Sequence, residues 1–177
     1  MEVRHDGPAV VRPREPGDLP ALADVLVRVH GEDGYPVEGV ADPLSWLRPR
    51  GVLASWVALA DGVPVGQVML LRAAPDVDAA RVWARRTGGD LTGLGVMARL
   101  FVDPGHRRNG AAGALLAALH AHAGALGLTV ALDVIGKDVA AIRLYERLGY
   151  RKLADVTHEH GGGHQDAAAV YARPASR

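Results

Sequence analysis

Two periods of hydrophobicity run through the chain, and the places where one gives way to the other mark out its elements. A short apolar strand at Ala9 to Arg12 breaks at 13–17, PREPG. Asp18 then stands where a helix cap belongs, ahead of Leu22, Val25, Leu26 and Val29 on one helical face. Residues 31–43 are polar and rich in Gly and Pro, and lead to a weak helix near Leu44 to Leu47. Ser55 to Ala60 and Val65 to Leu71 flank Asp61-Gly62, a hairpin signal, with Pro64 expected to lengthen the turn. Residues 72–90 read as irregular and basic, with Arg81, Arg85 and Arg86. An apolar strand from Leu91 to Val102 comes next, then a basic turn and a helix rich in Ala and Leu.

The second half continues the alternation. Thr129 to Val134 is β-branched and apolar between Gly127 and Gly136, a strand. Asp138 is a good N-cap for a short helix carrying Val139, Ile142, Tyr145 and Leu148 on one face, and Gly149 stands just past its end. Tyr150 to Thr157 and Asp166 to Tyr171 make a final hairpin across a loop from His158 to Gln165. Strands alternating with helices in this order predict an α/β protein, a mixed sheet with helices on both faces. No repeat and no domain boundary stands out, so the 177 residues are read as one domain.

The junction at residues 98–116, ARLFVDPGHRRNGAAGALL, carries the clearest chemistry. A turn that opens a helix presents unpaired N–H groups, and the helix dipole adds positive potential there. Gly110 lets backbone approach a ligand, while Ala111, Ala112 and Gly113 keep the first helical turn open. Arg107 and Arg108 add two permanent charges. The combination suits a pyrophosphate. It is not a P-loop, because no Gly-Lys-Ser/Thr follows, and it lacks the three spaced glycines of a dinucleotide fold.

Arg107-Arg108-Asn109-Gly110-Ala111-Ala112 resembles the Arg/Gln-x-x-Gly-x-Gly/Ala signature of the GNAT superfamily of acetyl-CoA-dependent N-acetyltransferases. Ala141, Leu144, Tyr145, Gly149 and Tyr150 match that family's second signature, Asn-x-x-Ala-x-x-Leu-Tyr-x-x-x-Gly-Phe/Tyr. Asp138 stands where the family has Asn; it can cap the helix and accept from an amide but cannot donate as an amide would. The resemblance covers about residues 9–172, with its specific motifs between 98 and 150. It implies that Arg107 to Gly113 hold the coenzyme pyrophosphate. It further implies that Leu100, Phe101 and Val102 offer backbone groups to the pantetheine arm and thioester oxygen, and that Asp138 and Ala141 contribute to cofactor binding.

By the same resemblance Tyr145 is the general acid that protonates the departing coenzyme A sulfur, as against a ring that merely fills the core. A phenol of pKa about 10 stays protonated at neutral pH. An amine must lose a proton before it attacks, yet Leu91 to Val102 holds no carboxylate. Asp90, Asp103, Asp133, Glu32, Asp33 and Glu38 are all candidates for the base, and the sequence selects none of them. HEHGGGH, His158 to His164, invites a metal reading, but three glycines supply no fixed geometry, and a hairpin loop near the acceptor site is the expectation. His120 and His122, two apart on a helix, form no ligand pair.

Composition narrows the partners. Lys plus Arg equals Asp plus Glu at 20 each, so no net field draws in nucleic acid. The absence of cysteine excludes disulfides, thiolate metal sites and a cysteine that carries the acetyl group, which favours direct transfer. No run of 18 apolar residues and no signal-like N-terminus is present, giving the expectation of a cytoplasmic protein without a membrane partner. The Ala, Gly, Val and Arg bias resembles a GC-rich bacterial genome. The expected reaction is acetyl transfer to a primary amine of a small molecule. The alternatives are a transferase for a protein N-terminus or lysine, and a noncatalytic acyl-CoA sensor. Family members are frequently homodimers, and the hairpin from Tyr150 to Tyr171 offers an edge for such pairing.

Overall fold

The amphipathic pattern of residues 19–33 becomes a real helix because its apolar face finds a core. In the computed structural model, which describes residues 9–175, α1 spans Leu19–Asp33 and its Leu22, Val25, Leu26 and Val29 are all fully buried. The remaining elements are β1 (Val10–Pro13), α2 (Pro43–Trp46), β2 (Val52–Ala60), β3 (Val63–Arg72), α3 (Asp78–Thr87), β4 (Leu94–Val102) and α4 (Ala111–Ala125). They continue with β5 (Thr129–Ile135), α5 (Val139–Arg147), β6 (Arg151–His160) and β7 (His164–Arg173). Strand order is β1-β2-β3-β4-β5-β7-β6, with β4 and β5 parallel and β1–β2, β5–β7 and β6–β7 antiparallel. This is the mixed α/β fold expected from the alternation of strands and helices.

The chain forms two compact units, each built from two segments. Residues 9–70 and 98–121 make the first, and 71–97 with 122–175 the second. In the first, the α1 face packs with Leu47, Val57 and Phe101, and Tyr35, Val40, Trp46 and Leu59 extend that cluster. Close approach of β3 to β4 requires glycine at one position: a Cβ on Gly66 would sit 2.7 Å from the Phe101 carbonyl oxygen. In the second, Ala79 and Ala80 of α3 pack with Leu94 and Val96 of β4, Ala131 of β5, and Val170 and Ala172 of β7. Parallel pairing of β4 with β5 runs from Leu94↔Thr129 to Val96↔Ala131.

Four expectations are corrected. Residues 72–90 are not irregular: α3 forms on the small apolar surface of Ala79 and Ala80, with Asp78 in its first turn and Arg85 and Arg86 in its last, where they suit the helix dipole. Asp18 stands before α1 but does not cap it; its carboxylate turns back to accept from the Glu15 amide and both terminal nitrogens of Arg12. Pro64 lies inside β3 and lengthens nothing, because Asp61 and Gly62, with φ of 50° and 78°, close a two-residue turn on their own. The final hairpin is longer than expected, its ladder reaching His160↔His164 so that only Gly161–Gly163 make the turn.

Asp103, at the end of β4, fixes the first unit where α1, β3 and the following turn meet. Its carboxylate accepts from Arg28 Nε at 3.0 Å and Nη2 at 2.5 Å and from the Gly105 amide at 3.0 Å, while its own amide donates to Val65 O at 2.7 Å. Burial alone would raise the carboxyl, but the Arg28 guanidinium and the Gly105 amide outweigh it and hold it below the usual range. A folded value below the unfolded one means the stabilisation is complete above about pH 4 and is lost as pH falls through the lower folded value. Asp103→Asn is therefore expected to cost about 1.5–3 kcal/mol near neutrality. In denaturant unfolding across pH, the gap from the wild type should close in acid; a gap that stays constant would contradict this role.

Candidate active site

β4 delivers the chain to the turn that precedes α4. Phe101 and Val102 are buried, Leu100 is half-buried, and a left-handed residue, Arg99 with φ 57°, interrupts the strand just before them. After a one-turn helix at Pro104–His106, Arg108 and Gly110 take positive φ, 63° and 84°, and α4 starts at Ala111. Amides of the first turn, Ala111 to Gly113, have no partner inside the helix and point along its axis. Asn109 Oδ1 lies 3.4 Å from the Ala111 amide. A Cβ at Gly110 or Gly113 would meet no atom within 4 Å, so the space in front of this turn is open to a ligand. Backbone donors, dipole and open space fit a pyrophosphate.

The two arginines of the turn differ. Arg107 is held by Asp33, at 2.5 and 3.2 Å, and donates Nε to Val102 O at 3.2 Å. Its guanidinium ties the turn to the end of α1. Arg108 is exposed and free of such a tie, so it is the charge available to an anion.

In the second unit, Asp138 caps α5 by accepting from the Ala141 amide at 3.2 Å. Tyr145 is the one buried residue of α5, its ring meeting Tyr150 edge-on at 5.7 Å. Val139, expected on the same face, is exposed instead. Among the described residues the Tyr145 hydroxyl has no hydrogen-bond partner. Burial pushes that hydroxyl far above the ordinary phenol value, and the carboxylates of Asp138 and Asp133 push it the same way. It stays protonated throughout the neutral range.

Asp133 also faces a cavity of about 630 Å³ in this unit, lined by Asp76, Asp78 and Arg81 near the start of α3 and by His158 and Glu159 on β6. His158 Nδ1 lies 3.9 Å from Asp78 and from Asp133. Both β5 and β6 pair with β7, which brings these residues together from 25 positions apart in sequence. His158 stacks on His160 and His160 on His164, at 6.2 and 5.8 Å, and His160 Nε2 is 2.8 Å from Asp166. The expected loop of histidines is thus an ordered ladder. Among the described residues no group of three or more ligating side chains is placed to hold a metal. Of the other carboxylates considered as a base, Asp33 and Asp103 hold arginines, Asp90 caps a turn at Thr92, and Glu32 and Glu38 are exposed.

Comparison with known proteins decides the family. The model of the acetyltransferase (GNAT) family matches residues 21–150. The chain belongs to the GNAT family. It is an acetyl-CoA-dependent acyltransferase, as both sequence signatures imply. No curated protein matches it. Its fold is shared with a ribosomal-protein alanine N-acetyltransferase of Escherichia coli, at 20% identity and TM-score 0.71 over 96% of this chain and 95% of that one. Arabidopsis thaliana NAA60, solved with a bisubstrate analogue, gives 22% identity and TM-score 0.71 over 95% and 99%. Salmonella typhimurium yncA, solved with its cofactor acetyl-CoA, gives 16% identity and TM-score 0.71 over 97% and 96%.

The open space at Gly110 makes the turn testable. Gly110→Val adds strain at a left-handed position and fills that space, so acetyl-CoA affinity measured by calorimetry should fall by about tenfold or more, roughly 1.4 kcal/mol. Arg108→Ala should weaken binding more than Arg107→Ala, because the Arg107 charge is already engaged by Asp33. Unchanged affinity in Gly110→Val, or the opposite order of the two arginines, would contradict the assignment.

Proposed function

We propose that this protein transfers an acetyl group from acetyl-CoA directly to a primary amine of a small molecule. The acidic cavity is the observation that carries the reading. Its volume lies in the range of small-molecule sites, and its carboxylates attract a protonated amine. A base is needed because an amine is mostly protonated at neutral pH and cannot attack. Asp133, 3.9 Å from His158 Nδ1, suits that role, since it lines the cavity and influences Tyr145 directly. Support for Asp133 and His158 is their geometry.

The cosubstrate supplies an acyl group activated as a thioester, with a thiolate as leaving group. On this reading the turn from Arg108 to Gly113 holds its pyrophosphate through backbone amides, and Leu100, Phe101 and Val102 offer main-chain groups to its arm. Asp138 serves by fixing the start of α5, and through α5 the position of Tyr145. Tyr145 gives its phenolic proton to the leaving sulfur; a phenol carries that proton at neutral pH even at its ordinary value, and burial raises that value further. No cysteine exists to carry the acetyl group, which favours one direct step.

A panel of small amines and short peptides, followed by thiol release, tests the substrate class. Turnover of small amines is expected, and turnover of peptides alone would overturn it. Tyr145→Phe keeps the ring and its contact with Tyr150 while removing only the acid. Its kcat should drop roughly 10²-fold, with the KM for acetyl-CoA within a few-fold. The wild type should show no alkaline loss of kcat from Tyr145 below about pH 10, because burial has moved that hydroxyl above its ordinary value. A mutant with wild-type kcat would return Tyr145 to a packing role.

A further inference from the structure

Apart from Trp and Tyr rings, three polar side chains are buried among the described residues, and two of them, Asp18 and Asp103, each hold an arginine. The third is Gln67 of β3, which has no solvent exposure at all and no charge of its own. Its two ends are engaged differently. Arg14 Nη1 donates to Gln67 Oε1 at 2.7 Å, and Gln67 Nε2 donates to Arg99 O at 3.2 Å. A guanidinium only donates and a main-chain carbonyl only accepts, so the amide is held in one orientation. Glutamate would lack the donor, and a hydrocarbon side chain would lack both groups.

What this amide holds is a strained point of the backbone. Arg99, with φ 57°, lies inside β4, whereas Asp61 and Arg108 take positive φ in turns. A residue with a side chain keeps that conformation only where its surroundings enforce it. At Arg99 they act from both ends: Gln67 takes the carbonyl, while the guanidinium donates to Trp46 O and lies over the Trp46 ring at 4.7 Å. A break of this kind re-aims the strand beyond it. Phe101 O then lies against β3, where a Cβ on Gly66 would sit 2.7 Å from it, and the Asp103 amide donates to Val65 O at 2.7 Å. Alternation along the strand turns the main-chain groups of Leu100 and Val102 away from β3. Both residues lie past Val96, where the described ladder of β4 with β5 has its last pair.

We propose that Gln67 is a positioning residue for the arm of acetyl-CoA: by holding the Arg99 carbonyl, with Arg14 orienting its amide, it sets the direction in which Leu100 and Val102 present their main-chain groups. This rests on the reading above that Leu100, Phe101 and Val102 meet the pantetheine arm and thioester. Fully enclosed, Gln67 acts through the backbone and not by contact with the cosubstrate. Its influence therefore falls on the arm and not on the pyrophosphate, whose turn is tied separately through Arg107 and Asp33.

Calorimetry with two probes tests this: acetyl-CoA, and 3′-phospho-ADP, the part of coenzyme A that lacks the arm. Gln67→Glu keeps the acceptor for Arg14 and removes the donor to Arg99 O, and Gln67→Met removes both at similar length; circular dichroism confirms that each folds. Each should lose about tenfold or more in affinity for acetyl-CoA and stay within about twofold of the wild type for 3′-phospho-ADP. Arg14→Met leaves Gln67 in place but unoriented and should show the same selective loss, at about threefold. Should neither Gln67 variant fold, Arg14→Met decides, and an unselective or absent loss there overturns the proposal. A folded Gln67 variant with wild-type affinity for acetyl-CoA overturns it too, as does an equal loss for both probes, which a general loosening of the core would give. In either case a wild type that binds acetyl-CoA more tightly than 3′-phospho-ADP leaves the arm reading standing. A wild type that binds both equally overturns that reading, and the role of Gln67 with it.

Discussion

Much of the first unit depends on the Asp103 carboxylate. It sits where β4 ends and accepts from the Arg28 side chain of α1 and from the Gly105 amide, while the backbone amide of Asp103 donates to the Val65 carbonyl of β3. Everything that makes the next seven residues useful follows from that anchor. Arg107 reaches Asp33 at the end of α1, and that second link commits one of two neighbouring arginines to structure. Arg108, Gly110 and the first amides of α4 remain for an anion. A carboxylate weighed as a catalytic base is a structural one, and its depressed protonation equilibrium reflects the work of holding an arginine and an amide in a buried place.

The second unit solves a different problem. Burial holds Tyr145, the acid of the proposed reaction, in its protonated form, while a cavity in the same unit is lined with carboxylates and one imidazole. Opposite environments for neighbouring titratable groups are what acid–base chemistry requires. The carboxylates of Asp138 and Asp133 reinforce the effect of burial on Tyr145.

What the sequence made legible is what depends on local order. The turn at Gly110 and the cap at Asp138 are local, so their residue types sufficed, and the α1 face was readable from its period. Illegible features depend on distant partners. α3 exists because Ala79 and Ala80 find β4, β5 and β7, and alanines carry too little hydrophobic contrast to announce a helix. Asp133 and His158 meet only through the placement of β7 between their strands. Whether Arg107 or Arg108 is available to a phosphate depends on Asp33, 74 positions away.

Amide hydrogen exchange tests the proposed binding of acetyl-CoA at the turn before α4 most directly, because it reads the backbone donors themselves. Addition of acetyl-CoA at saturating concentration should slow exchange in the segment from Arg108 to Gly113, where amides at the start of α4 have no partner in the helix, by about tenfold or more. Protection confined to other segments, with these amides exchanging as fast as in the free protein, would contradict it.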